Sequence, residues 1–256
     1  MSQTLTITAE QVLASAERIR EDIVRNRRTL HAAPEVGTDL PNTVACVKKR
    51  LLEMGYQPRE LAGGVVAEII GTETGRCLLL RADMDALCVT EQTGLDFASV
   101  NGCMHACGHD MHAAVLFGVL QQLAAEPDFR GTLFGLFQPG EECNPGGASL
   151  VLAEEPFADY DVRAVVGEHV EPSLEVGTFG FRAGKYMASS DELRFTVHGT
   201  GGHAALRNQL HDPVAAVAEL VGGLLALNLP ERVLSIGRIE ADGATNVVPD
   251  DVRLEG

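Results

Sequence analysis

Gly102-Cys103-Met104-His105-Ala106-Cys107-Gly108-His109-Asp110-Met111-His112 gathers three His, two Cys and an Asp, in a chain of 256 residues with only 8 His and 6 Cys. Borderline and soft metal ligands at this density are hard to explain as packing, although His and free Cys also serve as core residues. The spacing carries geometry. On a helix Cys107 and His109 point about 200° apart, because each residue turns about 100°. They converge on one ion only where Cys107-Gly108-His109 is extended or turned, with a helix starting near Asp110. Asp110 is a good N-cap, and Met111 to Ala125 is a run of helix formers.

The neighbouring apolar runs place more ligand types beside this loop. The strand candidates Val65–Ile70 and Cys77–Arg81 are joined by Gly71-Thr72-Glu73-Thr74-Gly75, and the second leads into Asp83 and Asp85. These two carboxylates read equally as a site at a strand end or as solvated turn residues. Leu133–Phe137 is a continuous apolar strand ending in Glu141-Glu142, and Ala164–Gly167 is a further buried strand ending at Glu168-His169. Adjacent carboxylates cannot both face one point, so one of Glu141 and Glu142 is free to bind a metal while the other faces substrate. Three successive strand ends thus deliver Asp, Glu and His, as a metal site in an α/β sheet requires.

Composition bounds the alternatives. A net charge of -16 argues against nucleic acid or an anionic membrane as partner, and aromatics at 5% with no Trp argue against a base-stacking platform. Residues 1–10 lack the basic-then-apolar layout of a secretory signal, and no apolar run is long enough to span a bilayer. Cysteines scattered at 46, 77, 88, 103, 107 and 143 lack the density of a disulfide scaffold. A cytoplasmic enzyme with reduced thiols is the expectation.

Thr8-Ala9-Glu10-Gln11 reads as a capping box opening one helix that runs to about Leu30, and a second helix is expected over Asn42 to Met54. After Gly184 the texture changes. An alternating strand Glu192–Val197, a Gly-rich loop with His203, a helix over about Asp212–Leu227 and strands at Val233–Ile239 and Val252–Leu254 form a small α+β unit. His203 on its own reads equally as a simple turn residue. The expected division is 1–183, an α/β domain, and 184–256.

LHAAPEVG (30–37), LRADMDAL (80–87), MHACGHDMHAA (104–114), FQPGEE (137–142), GGA (146–148), GEHV (167–170), GGHAA (201–205) and NVVPD (246–250) occur in that order. Together they resemble the metal-dependent amidohydrolases related to aminoacylase and the glutamate carboxypeptidases, in the hippurate hydrolase and indoleacetyl-amino-acid hydrolase branch. The resemblance implies a zinc-peptidase-like catalytic domain with a central mixed sheet flanked by helices. It adds a ferredoxin-like lid that also forms a homodimer interface. It implies two divalent metal ions held by Cys107, His109, Glu142 and His169, with Glu141 as general base and Asp85 in support. Asp110 either caps its helix or supports the site. The lid His203 would stabilise the oxyanion in the partner subunit, and Asn246 would hold substrate. A thiolate ligand favours zinc, manganese, cobalt or nickel over magnesium.

The implied reaction is hydrolysis of an N-acyl amino acid to a carboxylic acid and an amino acid. Relatives with these motifs continue past Gly256 into the rest of the lid and one more His ligand, so the chain reads as C-terminally truncated. Leu206-Arg207-Asn208 replaces the family's usual Pro-His after the lid motif. The competing readings are a non-catalytic homologue that binds metal or ligand, and a dipeptidase or carboxypeptidase.

Overall fold

The computed structural model describes residues 8–71, 75–125 and 129–256; of the expected connection Gly71–Gly75, Thr72–Thr74 lie outside them, as do residues 1–7 of the amino-terminal stretch. The chain divides into two compact units, one ending at Thr178 and the other Phe179–Gly256.

The first unit is built on a mixed sheet of β1 (Arg59–Leu61), β2 (Gly64–Ile70), β3 (Cys77–Asp83), β4 (Thr132–Gln138) and β5 (Val162–Gly167) in the order β1-β2-β4-β3-β5. β4 and β5 both run parallel to β3, whereas β2 is antiparallel to β4. Strand alternation sorts the apolar side chains into two cores. Val65, Ala67, Ile69, Ala82, Leu133 and Phe137 face one side, and Val66, Cys77, Leu79, Phe134 and Leu136 face the other.

The first core is covered by α2 (Arg20–His31), α3 (Pro41–Glu53) and α4 (His109–Ala125), the second by α5 (Gly147–Ala153) with Phe157 and Tyr160. α4 lies close on the sheet because Gly135 of β4 has no side chain; a Cβ there would meet Leu120 at 2.9 Å. Among the described residues no helix is long and apolar enough to cross a membrane.

Three local expectations for the first unit differ from what forms. The single amino-terminal helix is two: the capping box of Thr8 and Gln11 opens α1 (Ala9–Arg18), and the chain breaks at Ile19 before α2. Helical periodicity continues across that residue, so the side-chain pattern does not reveal the break. β5 is paired as expected but is not buried, with Val165 62% and Val166 50% exposed. It is the last strand of the sheet, and the covering helices lie over β2, β3 and β4. Asp110 does not precede α4 but lies inside its first turn, because the helix begins at His109.

Backbone groups tie the loops beneath the sheet's carboxyl edge. Glu35, from the LHAAPEVG stretch, accepts the Asn42 and Thr43 N–H groups at 3.2 and 2.8 Å, satisfying donors at the start of α3. Its carbonyl accepts the Ala86 N–H at 2.7 Å, anchoring the chain just beyond Asp85.

The second unit has a three-stranded antiparallel sheet of β6 (Arg194–His198), β10 (Asp251–Glu255) and β8 (Arg238–Ala241), with β10 central. α6 (Pro213–Leu225) packs on it through Val217, against Val252 and Leu254. Asp212 caps α6 by accepting the Val214 N–H at 2.9 Å. Residues 233–236 stay outside the strand and Gly237 donates to the Glu255 carbonyl at 2.9 Å, so the strand expected there begins only at Arg238. A separate ribbon pairs β7 (Gly202–His203) with β9 (Val247–Val248).

Candidate metal centre

The carboxyl ends of β3, β4 and β5 bring Asp83 and Asp85, Glu141 and Glu142, and His169 to the loop that opens α4. Gly108 makes the turn between Cys107 and His109, at φ +92°, where an added Cβ would also meet Val170 Cγ2 at 2.5 Å. Only glycine takes that conformation without strain.

Two groups of ligand atoms result, sharing His109: Cys107, His109 and His169 in one, His109, Glu141 and Glu142 in the other, the atoms of each within 4.8 Å of one another. Cys107 Sγ lies 3.3 Å from His169 Nε2. His169 Nδ1 donates to the Val170 carbonyl at 2.8 Å, which leaves the Nε2 lone pair facing Cys107. His109 Nε2 is 3.8 Å from an oxygen of each of Glu141 and Glu142.

Asp85 holds the second group in place. Buried, it accepts the Glu141 and Glu142 N–H groups at 2.9 Å each, one per carboxylate oxygen. Asp83, Arg81 and His112 brace the other side. Arg81 donates to Asp83 Oδ2 at 2.8 Å, and His112 Nδ1 donates to Asp83 Oδ1 at 2.7 Å. His112 Nε2 accepts the Val170 N–H at 3.0 Å, beside the His169 ring. Both His112 nitrogens are therefore used, so a third grouping of Asp83, His109 and His112 lacks a free donor atom.

The donor set fits a divalent cation. His109 is buried, and neither ring nitrogen has a hydrogen-bond partner among the described residues. Asp85 Oδ1 stands 3.4 Å from Nδ1 without hydrogen-bond alignment. A buried imidazole left without partners is costly unless something occupies its lone pair. Burial pushes the Cys107 thiol up to about 12, reinforced by a hydrogen bond to Glu142 and the charges of Glu142, Glu141 and Asp83. Such a thiol becomes a ligand only when a cation displaces its proton. For His109, burial opposes the charged form, but Asp85, Asp83 and Glu141 outweigh it and raise the pKa.

Burial also disfavours a charged Asp83, yet the His112 hydrogen bond and the charges of Arg81, His109 and His112 hold it down at about 2. Its folded pKa is depressed, so the stabilisation is complete above its ordinary 3.8 and disappears as pH falls to about 2. The contribution is on the order of 2 kcal/mol. Thermal melts followed by circular dichroism should show a loss of stability across that acid window, which Asp83→Asn should flatten.

His203 and Asn246 lie in the second unit, where the Ala204 N–H donates to the Asn246 carbonyl at 2.9 Å and His203 pairs with Val247. Asp110 belongs to neither ligand group. Its Oδ2 meets His31 Nδ1 at 2.8 Å and Arg27 Nε at 2.7 Å, while His31 Nε2 meets Glu91 at 3.1 Å. This buried network fixes the first turn of α4 against α2. Arg27 and His31 share a helix face by their spacing, but Glu91 is 60 residues from His31 and Asp110 is 79 residues from it, so no local signal joins them. His105 is buried beside this network, its pKa lowered to about 4 by burial.

The family model for peptidase family M20/M25/M40 matches residues 79–241. An N-acetyl-L-cysteine deacetylase of Bacillus subtilis is 37% identical over 98% of this chain and 62% of its own length. An N-acyl-L-amino acid amidohydrolase of Geobacillus stearothermophilus is 36% identical, over 98% of this chain and 70% of its own. The chain thus spans roughly two thirds of the length of these relatives. Among solved structures, an M20-family dinuclear metal-binding peptidase of Bacillus subtilis aligns with TM-score 0.70 and 36% identity, covering 95% of this chain and 64% of that one. A Staphylococcus aureus aminohydrolase aligns with TM-score 0.78 and 30% identity, covering 97% and 68%.

Proposed function

This chain belongs to peptidase family M20/M25/M40, and from that premise we propose that it serves metal-dependent hydrolysis of the amide bond of N-acyl amino acids. The observation carrying the reading is the pair of ligand groups that share His109, whose buried ring nitrogens have no hydrogen-bond partner among the described residues. Relatives that act as an N-acyl-L-amino acid amidohydrolase and an N-acetyl-L-cysteine deacetylase support the substrate class.

Cys107, His109, Glu142 and His169 are assigned as ligands of two divalent ions, with zinc, manganese, cobalt or nickel matching the thiolate and imidazole donors. When bound, such ions polarise the amide carbonyl and lower the pKa of water. The division of labour between the two glutamates follows from their surroundings. Glu142 weighs more heavily than Glu141 on the Cys107 thiol and is 26% exposed at its side chain, whereas Glu141 is 43% exposed. Glu141 is therefore assigned to take a proton from the attacking water and deliver it to the departing amine. Asp85 keeps both glutamates in register through their backbone N–H groups. His203 is assigned to the developing oxyanion and Asn246 to the substrate, with the second unit as the homodimerisation surface and the cytoplasm as the compartment.

Incubation of the metal-loaded protein with N-acetyl amino acids, N-benzoyl amino acids and dipeptides tests the assignment. N-acyl substrates should release free amino acid, chelation should stop the release, and added zinc or manganese should restore it. Cleavage confined to dipeptides, or turnover indifferent to chelation, would overturn the reading.

A further inference from the structure

Cys88 and Cys103 lie outside the ligand set, on the two strands of chain that lead from Asp85 and into Cys107. Leu87 and Met104 exchange both backbone hydrogen bonds, at 3.0 Å each, in an isolated antiparallel bridge. Cys88 and Cys103 directly flank that bridge, Cys88 at a bend where the Val89 N–H turns back onto the Leu87 carbonyl at 2.8 Å. Residues at an antiparallel bridge come within about 4.5–5.5 Å of each other at Cα, which keeps their immediate neighbours close. A disulfide closes without backbone movement where the Cα atoms are about 4.4–6.8 Å apart. Burial first, and then the neighbouring Cys88 thiol, raise the Cys103 pKa. Cys88 is exposed and Cys103 half-buried, so a small reagent reaches the pair from the Cys88 side.

We propose that Cys88 and Cys103 form a dithiol modification site whose co-reactant is a low-molecular-weight disulfide. The Cys88 thiolate attacks one sulfur of the reagent, forming a mixed disulfide and expelling one thiol. The Cys103 thiolate then attacks the Cys88 sulfur and expels the second. The protein pair gives up two electrons and two protons, and the reagent is reduced to two thiols. The resulting link braces the loop of Asp83 and Asp85 against the loop of Cys107 and His109. It stands independently of the reaction proposed above.

The test treats the zinc-loaded protein, in which Cys107 is engaged, with glutathione disulfide and counts thiols after denaturation. Of the 6 thiols, two should be lost to leave four, and a non-reducing peptide map should join the Cys88 and Cys103 peptides. A reductant should restore the full count. Cys103→Ser should stop at the first step, with glutathione retained on Cys88. An unchanged count, a glutathione adduct on Cys88 as the sole product in the unsubstituted chain, or a link to any other cysteine would refute the site.

Discussion

Replacing His109 with alanine should strip the protein of bound metal altogether, rather than remove one ion of a pair. His109 is common to both ligand groups, and its ring stands near Asp83, Asp85, Glu141 and Glu142 at 3.4–3.8 Å. Without it the remaining donors are a thiol and His169 on one side and two carboxylates on the other. Cys107, held up at about 12, then has too little cation nearby to lose its proton. Turnover should fall by on the order of a thousandfold or more, as expected when the electrophile is removed. Metal content by mass spectrometry separates this from simple unfolding, with circular dichroism confirming the fold. His105→Ala, another buried histidine of the same loop, should leave metal content unchanged. In the intact protein, metal uptake displaces the proton of the Cys107 thiol, so apparent affinity should rise about tenfold per pH unit for that proton.

The second large effect separates chemistry from binding. Glu141→Gln should lower turnover on the order of 10²- to 10⁴-fold, the range typical of a general base, while bound metal is retained. Glutamine keeps the backbone N–H that Asp85 accepts at 2.9 Å, so the loop should not move. It loses only the group that takes the proton. Glu142→Gln should behave in the opposite sense, losing metal first, because that carboxylate is the assigned ligand beside His109. If both variants lost metal equally, Glu141 would be a ligand and the base would lie elsewhere.

How much of this was legible depended on the range of the interaction. β3 and β4 announce themselves as apolar runs, and the carboxylates sit directly after them, so the site's sheet edge follows from local pattern. The turn at Gly108 likewise follows from the requirement that Cys107 and His109 converge, and it takes the positive φ that glycine permits. Asp85 illustrates the limit. From its segment alone it could equally be a solvated turn residue, and only the approach of the Glu141 and Glu142 backbone, 56 and 57 residues away, makes it a clamp.

His112 is similar. It stands in the same cluster as His109, but the Asp83 carboxylate and the Val170 N–H, from different loops, consume its two nitrogens. β5 failed in another way. Apolar composition indicates a strand but not what lies against it, and Val165 and Val166 are exposed at the edge of the sheet. The break at Ile19 left no mark in the periodicity, since α1 and α2 keep their apolar positions in step across it.

The proposed ligand set is Cys107, His109, Glu142 and His169, with Glu141 assigned as the base. Anomalous diffraction from zinc-loaded crystals, collected at the zinc edge, tests it most directly. Density should lie against Cys107 Sγ and His169 Nε2 and extend to His109 and Glu142. A peak at the buried His31, Glu91 and Asp110 network instead, or none beside His109, would contradict it.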